Sequence, residues 1–300
     1  MPSISSSYFR CILAFLCVCG FAAPSYAQST EADLNSRLIG KPLYLRGFWR
    51  DDSLHFDSTG HLRGTSDPVT FTLSGFDLKK VHLKQNKLIL EGNRVGLEFS
   101  DNKQKRVTLQ VGDGRHHEDE SMHIEIDANP AGDYGPALDA IFVEGIADLV
   151  PSLPFYWKKY AQKNLLPAVA AQTIPTTSTT SPSAEKAVPP QEAQPGRVGG
   201  GITAPRLLHS AEPEFNSTAR MLQYSGIVLA NLDVEPDGTV SHLSIARPLG
   251  LGLDERALAA IQQYTFSPAM KDGKPVLVEL NVEVNFQISP GRITLPTSKP

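Results

Sequence analysis

Two groups of residues in this 300-residue chain have side chains that could do chemistry at close spacing. The first is Arg115, His116, His117, Glu118, Asp119, Glu120 and His123, a run of imidazoles and carboxylates. Transition metals take such ligands, but only when these converge from rigid elements with supporting partners. In an extended segment His116 and His117 point to opposite faces, so the run reads as a charged hairpin. The second group is Asp51, Asp52 and Asp57. Acids there suit turns, and no nucleophile accompanies them. There is no GxSxG string, phosphate-cradling glycine loop or HExxH helix, and Gly199, Gly200 and Gly201 follow a Pro/Ser/Thr stretch rather than a strand. His55, His61 and His82 are scattered. Tyr44, Phe48 and Trp49 could line a groove, although aromatics at strand spacing favour a core role. The chain reads as a non-enzyme, with no catalytic residue, cofactor or metal expected.

A different chemistry, main-chain pairing, is written into residues 276–288. Val276, Val278, Leu280, Val282, Val284, Phe286 and Ile288 alternate with Leu277, Glu279, Asn281, Glu283, Asn285 and Gln287. A period of two marks a strand buried on one face, with register fixed because a one-residue slip would expose the apolar row. Thirteen residues span roughly 43 Å at about 3.3 Å each. Such a strand outruns its neighbours and leaves donors and acceptors free for a partner.

The elements that must position this strand lie around it. Asn216 is a plausible N-cap for a short helix over 216–222. A strand over 226–234 turns at Pro236, Asp237 and Gly238 into a second strand over 239–246. Leu253, Ala257, Ile261 and Tyr264 recur at helical spacing behind Asp254 and Glu255, acids suited to a helix N-terminus. The order predicts a three-stranded antiparallel sheet covered by two helices. Upstream, residues 34–163 are strand-rich, with segments at 43–49, 69–73, 80–83, 87–92, 94–99, 106–111 and 121–127 between turn-forming residues such as Gly92 and Asn93. Tight spacing predicts an antiparallel meander closed by a helix over 136–149 and a second holding Tyr156, Trp157 and Tyr160. The fold class is α+β. Expected units are a signal peptide at 1–27, a β-rich domain at 28–164, a Pro/Ser/Thr/Gly-rich tether at 165–203, a C-terminal domain at 204–290 and a tail at 291–300.

The signal reading rests on Arg10, the apolar stretch 11–23, and Ser25 and Ala27 before a cleavage point at Gln28. The stretch is short for a membrane span, although an uncleaved anchor through 11–23 is the alternative. Cys11, Cys17 and Cys19 all lie inside it, so the mature chain would carry no thiol. A net charge of −4 without a basic run argues against nucleic-acid binding. The expected compartment is the periplasm.

The C-terminal residues resemble the TonB C-terminal domain family. The likeness is carried by Glu212, Pro213, Glu214 and Phe215 ahead of Ala219 and Arg220; by Gly226; and by Pro236, Asp237 and Gly238. It continues through Gly250, Leu251, Gly252, Leu253 and Asp254, then Phe266, Pro268, Ala269, Asp272, Gly273, Lys274 and Pro275, to the strand ending in Phe286. The resemblance implies a periplasmic domain that grips the extended TonB box of outer-membrane receptors by adding it beside the last strand. The implied partner-binding edge is Val276, Val278, Glu279, Leu280, Asn281, Val282, Glu283, Val284, Asn285, Phe286 and Gln287. One departure stands out: the N-terminal apolar stretch is short, lacks the histidine of the family's membrane helix and ends in a cleavage-like site. Ser241, His242, Leu243 and Ser244 imitate that helix's motif but sit in a predicted strand. The alternative function is an envelope scaffold or assembly protein without an energy-transducing role. Self-pairing through the last strand is a further expectation.

Overall fold

A computed structural model describes residues 29–100, 103–112, 116–166, 195–196 and 198–288. The expected signal peptide at 1–27, most of the tether, the tail at 291–300 and Arg115 lie outside the described residues.

Helix α1 (Glu31–Leu38) starts where the Thr30 hydroxyl accepts the Asp33 N–H at 3.2 Å, and it buries Leu34 and Leu38. Strands β1 (Leu43–Leu45) and β2 (Ser53–Phe56) follow. The expected strand at 69–73 is instead a single 3₁₀ turn, Phe71–Leu73, because Thr70 caps it through the Thr72 N–H at 3.0 Å. Strands β3 (Gly75–Lys84) and β4 (Lys87–Ser100) form the spine of the first sheet. Gly92 and Asn93, expected as a turn, lie within the continuous fourteen-residue β4. A Cβ on Gly92 would sit 2.3 Å from the Asp77 carbonyl oxygen, beside a register shift between Leu78 and Lys80. The glycine serves a close strand crossing, not a chain reversal.

Strands β5 (Lys103–Thr108), β6 (Gln110–Gly112), β7 (His117–Asp119) and β8 (Ser121–Asp127) complete the strand-rich stretch. The helix expected over 136–149 is three pieces: α2 (Gly135–Ile141), β9 (Phe142–Val143) and a 3₁₀ segment, Ile146–Ser152. Phe142 is extended because it pairs with Leu45. Helix α3 (Phe155–Asn164) then buries Trp157, Tyr160 and Ala161. The sheet runs β2-β8-β4-β3-β1-β9, with β5 beside β4. All its pairs are antiparallel except β2 with β8. That parallel pair departs from a simple meander and is possible because the long intervening chain supplies the crossover.

The C-terminal part begins with β10 (Arg206–His209) and α4 (Ser217–Met221), where the Asn216 side chain accepts the Ala219 N–H at 2.7 Å. Strands β11 (Gly226–Val234) and β12 (Val240–Arg247), helix α5 (Leu253–Ile261), and strands β13 (Thr265–Ser267), β14 (Ala269–Lys271), β15 (Lys274–Val276) and β16 (Val278–Phe286) follow. The sheet order β12-β11-β16 is the expected three-stranded antiparallel sheet. The thirteen-residue alternation is split at Leu277. Val276 turns back to pair with Ala269 across a turn whose Asp272 and Gly273 both have positive φ.

The two halves share a hydrophobic core. Phe71, Leu97, Phe99 and Trp157 from the first half join Val228, Leu232, Ala257 and Phe286 from the second. A separate core fills the far side of the first sheet, around Phe56, Phe76, Leu90 and Ile124.

Candidate functional site

Strand β16 is an edge strand, and its main-chain polarity follows from its contacts. The Glu279 N–H donates to the Gly196 carbonyl at 3.2 Å, and the Leu277 carbonyl accepts the Gly196 N–H at 2.9 Å. Residues 277 and 279 therefore direct their peptide groups away from β11. Successive residues alternate and the β11–β16 register has no shift, so Asn281, Glu283 and Asn285 direct theirs outward as well. Val278, Leu280, Val282, Val284 and Phe286 face β11, opposite Val234, Leu232, Ala230, Val228 and Gly226. Among the described residues no strand pairs with the outer edge beyond Glu279.

Side chains follow the same alternation. Val278, Val284 and Phe286 are buried and Leu280 and Val282 half-buried, while Asn281, Glu283 and Asn285 are exposed. The Asn231 amide donates to Asn281 Oδ1 at 3.2 Å, and Glu283 lies 3.6 Å from Arg247. At the far end a cleft of about 600 Å³ opens among Glu212, Phe215, Arg220, Asn285, Phe286 and Gln287. Phe215 meets Phe286 edge-on, with ring centroids 5.5 Å apart. Of the residues expected on the edge, ten from Val278 to Gln287 line β16 or its end, whereas Val276 belongs to the β14–β15 hairpin.

The sheet is held from the other side by a junction that sequence reasoning missed. Gly250 and Leu251 pass beside β4: the Leu251 N–H donates to the Leu97 carbonyl and the Phe99 N–H to the Leu249 carbonyl, both at 2.9 Å. Gly250 has φ +97°, and a Cβ there would lie 2.1 Å from the Leu97 carbonyl oxygen, so only glycine fits. The Gly252 N–H donates to Thr72 Oγ1 at 3.0 Å. Asp254 is fully buried, its two oxygens accepting the Leu249 and Gly250 N–H groups at 2.8 Å each. Trp157 Nε1 donates to Glu255 Oε1 at 2.8 Å. Burial, and then the neighbouring Glu255 charge, push the Asp254 carboxyl up to about 7 against the pull of its N–H partners. Burial also raises Glu255, opposed by the Trp157 hydrogen bond. Asp254 and Glu255 were visible as acids suited to a helix N-terminus; their link to Trp157 was not.

The other candidates make local structural contacts. The buried Arg94 guanidinium donates to the carbonyls of Trp49, Arg50 and Asp51 at 2.7 to 3.0 Å, and its Nε lies 2.7 Å from Glu120. That anchors the loop holding Asp51 and Asp52. Asp57 Oδ1 accepts the Thr59 hydroxyl and the N–H groups of Thr59 and His61, which hold its pKa down to about 2. His117, Glu118 and Asp119 are exposed on β7, and Asn93 donates to Asp119 at 2.6 Å. Among the described residues no three His, Cys, Asp or Glu side chains converge on a metal position. Tyr44 is buried under the Arg106 guanidinium, 4.7 Å from its ring centroid, and Trp49 meets Phe56 edge-on.

The family model for the C-terminal domain of the Gram-negative bacterial TonB protein matches residues 211–288. Protein TonB of Vibrio cholerae is 27% identical over 107 residues, covering 33% of this chain and 44% of that protein. The chain thus spans under half the length of this curated relative. A solution NMR structure of the Pseudomonas aeruginosa TonB C-terminal domain aligns with 18% identity and a TM-score of 0.25, over 31% of this chain and 93% of that one. The family match covers residues 211–288, the stretch that holds the Asn216 N-cap and the β12-β11-β16 sheet.

Proposed function

We propose that this protein is a non-catalytic periplasmic component of envelope transport that binds extended segments of outer-membrane TonB-dependent receptors by strand addition along β16. The observation that supports this most is the outward row of peptide groups at Asn281, Glu283 and Asn285, which pair with no strand among the described residues, on a stretch that matches this family. Main-chain bonds supply affinity, each about 0.5–1.5 kcal/mol net. The half-buried Leu280 and Val282 supply a surface for alternate apolar side chains. Among the described residues no helix is long and apolar enough to cross a membrane. The periplasmic placement rests on reading residues 1–27 as an export signal, and mass spectrometry of the mature chain should find a start at Gln28. With Cys11, Cys17 and Cys19 in that segment, Asn285→Cys would be the sole thiol of the exported chain. In cells this variant should form disulfide adducts with cysteines placed in receptor boxes, and a thiol that never captures a receptor would defeat the proposal.

A second reading is an envelope scaffold without an energy-transducing role. It is favoured by the shared core, which fixes the C-terminal sheet to the first domain instead of leaving it on a free tether. Capture of a non-receptor envelope protein at the same thiol would select it.

A further inference from the structure

The outer edge of β16 is not open along its whole length. Gly196 lies parallel to it opposite Val278, donating to the Leu277 carbonyl and accepting the Glu279 N–H. The chain then leaves the edge. It turns between Gly199 and Ile202, and Thr203 is fixed by its N–H to the Met270 carbonyl at 2.9 Å and by the Met270 N–H to its hydroxyl at 3.0 Å. Along the apolar row Val278, beside Gly196, is fully buried, Leu280 and Val282 are half-buried, and Val284 and Phe286 are buried again. Gly196 suits this position because a Cβ would already lie 3.0 Å from Ile202 Cδ1.

Building on the strand-addition reading, we propose that Gly196 acts as an intramolecular stop on the binding edge and sets the length and register of the segment it accepts. The acceptor stretch runs from the Glu279 carbonyl through the peptide groups of Asn281, Glu283 and Asn285. A fitting partner is a short extended segment whose apolar side chains cover Leu280 and Val282. Its opposite face is polar or basic, meeting Asn281, Glu283 and Asn285. A strand that ran on toward Val276 would have to evict Gly196.

Residue-resolved amide exchange on the exported chain tests this, alone and with a peptide copying the box of a TonB-dependent receptor. Without peptide, the Glu279 N–H should exchange about tenfold or more slowly than those of Asn281, Glu283 and Asn285. Gly196→Pro removes the donor to Leu277 but keeps the carbonyl that accepts the Glu279 N–H, so it should weaken the bridge and reduce that difference, while the Val284 N–H, inside the β11 ladder, stays slow and reports an intact fold. Equal exchange at Glu279 and Asn281 in the unsubstituted chain would overturn the stop. Peptide should slow Asn281, Glu283 and Asn285 and leave Glu279 and Gly196 as they were. Peptide that instead frees the Gly196 N–H would overturn the register limit. Peptide that slows none of these amides would sink strand addition, and the register limit with it, even with the Glu279 protection intact.

Discussion

Asp254 is a carboxyl with no solvent contact, two main-chain N–H partners and an acidic neighbour, at the point where the two halves of the chain meet. Its folded pKa near 7 lies above the unfolded value of about 3.9, so the folded chain holds the proton more tightly. The stabilising contribution is therefore fully present below about pH 4 and is lost as pH rises through about 7. Glu255, Glu120 and Asp233 are raised by burial as well and act in the same direction. Asp57, Glu125, Asp127 and Asp237 are lowered, and their contributions disappear only in stronger acid. Thermal melts should show the midpoint falling between pH 5 and pH 8, and Asp254→Asn should flatten that slope; an unchanged slope would refute the assignment. Trp157→Phe keeps most of the ring in the core but leaves Glu255 Oε1 without its donor. We expect a loss of about 1–3 kcal/mol in urea denaturation, the range for stranding one buried polar partner.

The strand proposed to bind was legible because period-two alternation has one meaning when a single face is buried. Nine residues of β16 obey it, and the polar residues lie outward as read. Its start was not legible. Val276 belongs to the same alternation, and only its pairing with Ala269 removes it from the edge. The β4 spine was hidden for a related reason: Gly92 and Asn93 have turn-like identities, but β3 passes too closely there for any side chain at Gly92. The link that buries Glu255 was invisible because Trp157, which donates to it, is 98 residues away in the chain. The edge makes a positional prediction. Proline at Glu283 removes an outward N–H and spares the β11 ladder, so the fold should survive while partner affinity drops. Proline at Val282 removes a ladder donor, strands its acceptor on β11 and should destabilise the sheet by about 1–3 kcal/mol. Circular dichroism melts of the two variants should separate these effects.

At the scale of the whole molecule, a core built from both halves makes them one cooperative unit. Tryptophan fluorescence and far-ultraviolet circular dichroism should therefore trace a single coincident unfolding transition, and two separated transitions would show that the halves are independent. A domain braced in this way presents β16 as a rigid template, so an incoming segment bears most of the ordering entropy itself. The central claim is that this template takes an extended partner through its outward peptide groups. Calorimetric titration of the exported chain with a receptor-box peptide tests it most directly. The account predicts saturable one-to-one binding that weakens about tenfold in Glu283→Pro, or about 1.4 kcal/mol, and is unchanged in Glu118→Ala on the distant β7. Absence of binding, or equal affinity in Glu283→Pro, would contradict it.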